Sequence, residues 1–138
     1  MKPLLRLACI TASLLAIMPI AAFACPAQPD PPFKQIGTQS YDVALTTIPE
    51  EIVVGKPFSV DLWICDKTGS AFEGEIIAGA TMPLHKHGMN YKPSISSLGD
   101  GRYRLEGFVF HMQGQWQFLF DLREGGQSET VSLDHVLK

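Results

Sequence analysis

The residues with the clearest potential for chemistry lie in one short segment, from Thr81 to Met89. Two methionines and two histidines fall within it, and a His-Met pair follows further along the chain. Thioether and imidazole groups together suit copper, and Cu(I) above Cu(II), better than they suit any hard cation. The sequence therefore predicts a copper site whose candidate ligands are Met82, His85, His87, Met89, His111 and Met112.

The two histidines of this segment are two residues apart, so their side chains would point to the same side of an extended chain. Pro83 and Gly88 disfavour a helix and predict a loop or a strand end. The sequence leaves open whether this loop meets His111 and Met112 in space. Zinc could bind through the histidines but would leave the methionines unexplained, and methionine can also simply fill a core. His135 is isolated in a strand pattern and is interpreted as an ordinary solvated residue.

The first 24 residues have the features of a cleavable export signal. Lys2 and Arg6 precede an apolar run, and Ala22-Phe23-Ala24 is the small-x-small pattern before a cleavage site. Cleavage there predicts a periplasmic or otherwise extracytoplasmic protein that begins at Cys25. The alternatives are a lipid anchor on Cys25, which would attach the protein to the membrane surface, and a leader that stays uncleaved as an anchor.

Two cysteines, Cys25 and Cys65, remain after cleavage. An even pair in an oxidising compartment predicts a disulfide that closes a loop of roughly 40 residues. The rival interpretation makes Cys65 a thiolate ligand, although no second Cys or His stands beside it at metal-ligand spacing.

Charge and motif content exclude several classes of function. The chain has 11 basic residues, of which the leader removes two, against 14 acidic ones, so the exported part is acidic and lacks the basic footprint of a nucleic-acid-binding protein. No phosphate-binding loop, nucleophile elbow or paired catalytic acids are present. The sequence therefore predicts a binding protein and not an enzyme.

Residues 25–39 form a Pro-rich lead-in, and residues 40–138 read as short strands separated by turns. The predicted strands are Tyr41–Thr47, Phe58–Cys65, Glu75–Met82, Lys92–Leu98, Arg102–Phe110, Trp116–Leu122 and Glu129–Leu137. About seven strands of this kind predict an all-β antiparallel sandwich.

The alternation of apolar residues also predicts which side chains are buried. On the strand that begins at Arg102, the residues Tyr103, Leu105 and Val109 are expected to share one face. The predicted core consists of Phe58, Val60, Leu62, Ile64, Tyr103, Leu105, Trp116, Phe118, Phe120 and Leu122.

Three ordered motifs resemble the YtkA-like domain family, whose pattern is M-P-x-x-x-H-x-M, G-x-G-x-Y and M-x-G-x-W. They match Met82–Met89, Gly99–Tyr103 and Met112–Trp116, and the resemblance covers roughly residues 50–137. It implies a small exported bacterial domain with an immunoglobulin-like sandwich, and it loosely implies copper handling or oxidase assembly. This chain departs from the family in having a cleavable leader with no clear anchor.

Two functions follow from these observations. The first is a periplasmic copper carrier or buffer that uses the Met/His site and delivers metal to a periplasmic or membrane protein. The second is a metal-free accessory domain that docks on such a partner through its Met-rich loop, since methionine suits adaptable interfaces.

Overall fold

The computed structural model describes residues 33–138, which form nine β-strands and no helix. The all-β prediction is confirmed, with nine strands instead of about seven, because two short strands were not predicted. The strands are β1 (Lys34–Gly37), β2 (Tyr41–Ile48), β3 (Pro57–Asp66), β4 (Glu75–Met82), β5 (His87–Gly88), β6 (Ser94–Gly99), β7 (Arg102–Val109), β8 (Gly114–Glu124) and β9 (Gln127–Leu137).

The strands pair into two antiparallel sheets that face each other. One sheet has five strands in the order β1-β2-β3-β7-β6, and the other has four in the order β5-β4-β8-β9. The order β2-β3-β7-β6 corresponds to the A-B-E-D sheet of an immunoglobulin domain, and β5-β4-β8-β9 corresponds to C′-C-F-G. The immunoglobulin-like arrangement is therefore present in the strand order itself.

The core lies between the sheets and is built from alternate residues of the long strands. On β3, Val60, Leu62 and Ile64 are completely buried, and on β8 every second residue from Trp116 to Leu122 is buried. All ten residues of the predicted core are buried. The burial of this aromatic and aliphatic layer is the main force that holds the sheets together, since removing apolar surface from water stabilises by roughly 25 cal/mol per Å².

The face predicted for Val109 is wrong. Val109 is only half-buried, whereas its neighbours Phe108 and Phe110 are completely buried. The reason is a bulge on β7, where the pairing jumps between Phe58 and Ser59 of β3 and Gly107 adopts a φ of 96°. One extra residue in a strand reverses the faces of all residues beyond it.

Several sequence predictions fall on residues outside the described part of the chain. These are the leader (1–24), Cys25 and most of the Pro-rich segment, so the disulfide between Cys25 and Cys65 stays a prediction. The end of that segment is described, and it forms β1, which pairs with β2 and extends the sheet. Within residues 33–138, no helix is long and apolar enough to cross a membrane.

One charged pair is built into the outer face of the five-stranded sheet. The carboxylate of Asp61, whose side chain is only 8% exposed, accepts two hydrogen bonds from the guanidinium of Arg104, both at 2.7 Å. Bidentate pairs of this kind are short and directional. Because β3 and β7 are neighbours and Asp61 lies opposite Arg104, the pair links the central strand β3 to β7.

We expect Arg104→Met to lower the free energy of unfolding by about 2 kcal/mol, because it leaves the Asp61 carboxylate buried without its cation. The matched control is Lys67→Met, which breaks the ion pair with Asp42. Both members of that pair are more than 40% exposed, so the loss there should stay below about 1 kcal/mol. Urea unfolding measures both variants. Equal losses would contradict a structural role for the pair with the buried Asp61 carboxylate.

Candidate metal centre

The hairpin between β4 and β5 carries two of the candidate histidines. Its turn begins with Pro83, a residue favoured at the second position of a β-turn, and the backbone N–H of His85 donates to the carbonyl of Met82 at 3.0 Å. Lys86 then adopts a left-handed conformation with a φ of 55°. The segment from Pro83 to Lys86 is therefore not extended. The chain reverses direction at this turn, so that β5, which begins at His87, runs antiparallel to β4.

A second turn, between β7 and β8, carries His111. The completely buried Trp116 stabilises the backbone of this turn. Its indole N–H donates a hydrogen bond to the carbonyl of Met112 at 3.0 Å. The Trp116 ring also stacks on Phe110, with centroids 4.2 Å apart and planes 4° from parallel. His111 lies in the chain between Phe110 and Met112 and is exposed. Its ring is edge-on to the Trp116 ring, with centroids 5.2 Å apart.

The two turns meet, so three imidazoles form a cluster. The ring centroid of His87 lies 5.7 Å from that of His85 and 5.3 Å from that of His111. All three residues are exposed. His87 is thus the central member, and the pair predicted from local spacing is joined by a third histidine 24 residues further along the chain.

The three methionines occupy different environments. Met82 is completely buried, and a Cβ placed on Gly114 would come within 2.8 Å of its terminal methyl group, so Met82 fills the core beneath the turn. Gly114 also has a φ of 129°, which favours glycine. Met89 and Met112 are half-buried and pack at the edge of the core.

Among residues 33–138, no group of three or more His, Cys, Asp and Glu side chains is arranged to hold a metal ion as it stands. The histidine cluster is therefore not a closed site. Metal binding there would require exposed rings to rotate, methionine sulfur to take part, or a ligand from another molecule. Exposed side chains change rotamer readily, on a timescale of picoseconds to nanoseconds.

His135 lies apart from this cluster, in a pocket of about 220 Å³ at the open edge between the sheets. Its Nδ1 is 3.2 Å from the Nζ of Lys34, and the rings of Phe110 and Phe118 are each 6.2 Å away. Burial, followed by the positive charge of Lys34, lowers the pKa of His135 below its usual 6.5. Half-buried and set against aromatic rings, it differs from the solvated residue that the sequence predicts.

Comparison with known proteins identifies the fold and leaves the family open. No family model matches the chain, and no curated protein does, so the resemblance to YtkA-like domains stays a prediction. A solved structure that is similar is that of a DUF4426 family protein from Pseudomonas aeruginosa PAO1. It has a TM-score of 0.54 and 12% sequence identity, and the match covers 76% of this chain and 94% of that one. At this identity the likeness supports the sandwich fold alone.

We expect Lys86→Gly to raise the free energy of unfolding by up to about 1 kcal/mol relative to Lys86→Ala, because only glycine adopts the left-handed conformation without steric cost. Both variants remove the same charge, so the comparison isolates the backbone. Thermal or urea unfolding of the two gives the difference. At ordinary negative φ angles a protein with alanine is more stable than one with glycine. If Lys86→Ala were more stable than Lys86→Gly, the left-handed conformation described for Lys86 would be incorrect.

Proposed function

We propose that this protein binds copper at the cluster of His85, His87 and His111 and acts as a carrier or buffer, without catalysing a reaction. The observation that carries the proposal is the position of the His87 ring, within 6 Å of two other imidazoles contributed by two separate turns. Met89 and Met112, half-buried in or beside the same turns, are the candidate thioether ligands. Met82 is buried beneath them and supports the turn by packing.

The donor types favour copper over other metals. Structural zinc sites are almost always closed four-coordinate sets of Cys, His and carboxylate, and no acidic residue lies between Glu75 and Asp100 or between Glu106 and Asp121. Thioether sulfur is a soft ligand that selects Cu(I), whereas imidazole accepts either oxidation state. A thioether and a neutral imidazole both bind a metal without losing a proton, unlike a thiol.

The exposure of the site suits a carrier. In metal centres that hold their ion tightly, hydrogen bonds from surrounding groups fix the ligands. Here the three histidines are exposed, and among residues 33–138 no set of His, Cys, Asp and Glu side chains is already arranged around a metal position. Such a site should bind and release metal by exchanging one ligand at a time. The predicted export signal supports a periplasmic location, so the copper that this protein would carry lies outside the cytoplasm.

A metal-free docking domain is the second candidate function. It is favoured by two exposed apolar side chains on the connections that follow β4 and β5, Leu84 at 77% exposure and Tyr91 at 52%. Isolated exposed apolar residues are common, but two of them within eight residues of the chain can contribute to a small contact. The two candidates differ in one measurable property, which is whether the protein retains copper by itself.

A competitive titration with Cu(I) and Cu(II) tests the proposal. We expect the variant with His85, His87 and His111 all changed to Ala to lose at least about 100-fold in copper affinity, or about 2.7 kcal/mol. The matched control is His135→Ala, which removes a histidine outside the cluster and should change affinity by less than about threefold. Circular dichroism checks that each variant is folded.

Equal affinities for the wild-type protein and the triple variant would overturn the copper proposal. The docking function would then be the better account of the same surface. A loss that is as large for His135→Ala as for the triple variant would also contradict it, because copper would then be bound at a place other than the cluster.

A further inference from the structure

Charge is distributed unevenly between the two ends of the sandwich. The end that carries the histidines, here called the histidine end, comprises the connections at residues 48–57, 82–94 and 109–114. These connections contain three lysines (Lys56, Lys86 and Lys92) and two acids, Glu50 and Glu51, and Lys138 follows Leu137, which pairs with Gly114 at the same end. The opposite end comprises residues 37–41, 66–75, 99–102 and 124–127. It contains two basic residues and five acids: Asp66, Glu73, Glu75, Asp100 and Glu124.

The asymmetry is sharpest around the histidines themselves. The connections that hold His85, His87 and His111 contain Lys86 and Lys92, both exposed, and no acidic residue. Both glutamates of this end belong to the single connection between β2 and β3. A protein that is acidic as a whole therefore presents a locally positive surface at its candidate metal site. Such a field attracts negatively charged partners and raises their rate of encounter.

The same connections also carry exposed apolar side chains. Leu84 lies on the turn between β4 and β5, Tyr91 lies on the connection that leads from β5 to β6, and both are exposed. Exposed apolar side chains accompanied by charged residues are a common composition of a protein interface. The lysines of this end are dispersed over separate connections and are accompanied by Glu50 and Glu51, unlike the compact clusters of about four to eight basic residues that bind anionic lipid, which favours a protein as the partner.

We propose that the histidine end docks an acidic protein surface with an apolar centre, which accepts copper from the cluster. This inference rests on the proposed function. Transfer is a ligand exchange in which bonds from Cu(I) to imidazole and thioether break as bonds to donor atoms of the acceptor form. Copper keeps its oxidation state, and no electron or proton needs another source. Exposed histidines make such an exchange possible because the acceptor can bind the metal before it leaves.

Two synthetic acceptor peptides test the proposal. Both contain the same pair of methionines around a leucine, one flanked by aspartates and the other by lysines. With copper-loaded protein under anaerobic conditions and low salt, we expect transfer to the acidic peptide to be faster by about three- to tenfold. The difference should largely disappear at about 0.5 M salt, where charges are screened within a few ångströms.

Charge-reversal variants locate the effect. Lys86→Glu combined with Lys92→Glu should abolish or invert the preference for the acidic peptide. The matched control, Lys67→Glu, reverses one exposed lysine at the opposite end and should leave the preference in place. Equal transfer rates to the two peptides, or a preference that survives in the double variant, would overturn the proposal.

Amide chemical shifts of the metal-free protein separate this proposal from the copper proposal. The acidic peptide should shift the amides of residues 83–92 even without metal. If those shifts occur and the protein retains no copper, the copper proposal fails and the docking surface stands. If copper is retained and the acidic peptide causes no such shifts and no faster transfer, the docking proposal fails and the copper site stands.

Discussion

The stack of Trp116 on Phe110 is the contact on which the histidine cluster depends. It joins the end of β7 to the start of β8 inside the core, and the indole N–H holds the Met112 carbonyl at 3.0 Å. A turn anchored by a buried ring and a hydrogen bond has little freedom to move, since both would have to be broken together. His111 lies within that turn, so its position relative to His87 is set by the core and not by the loop alone.

In this region the buried side chains hold the turns in place, and the exposed side chains are the candidate metal ligands. Met82 and Trp116 are completely buried and fix the two turns from below, whereas the three histidines stand above them in solvent. Sites carried on loops over a rigid sandwich are common because the scaffold sets the position and the loop supplies the chemistry. For the proposed carrier role this means that the three histidines can exchange a metal ion without a change in the core, whereas Met89 and Met112 pack against its edge.

Much of the fold could be predicted because alternation of apolar residues is strong in the long strands. The bounds predicted for β4 are those observed, and those of β2, β3 and β7 differ by one residue at most at either end. Strand β5 was not predicted because two residues carry no pattern, and the reversal of faces on β7 depends on a bulge at Gly107 that alternation cannot indicate.

The pairing of His85 with His87 was expected for an extended chain, yet it arises from the left-handed Lys86. Their meeting with His111 depends on how two sheets pack, which local spacing does not determine.

We propose that imidazole and thioether groups of the histidine end bind one copper ion together. X-ray absorption of the Cu(I)-loaded protein tests this coordination, because nitrogen and sulfur neighbours scatter differently. We expect two or three imidazole nitrogens and at least one sulfur bound to the same ion. A copper ion surrounded by nitrogen and oxygen alone would contradict the role assigned to Met89 and Met112. Copper lost entirely on desalting would contradict the site.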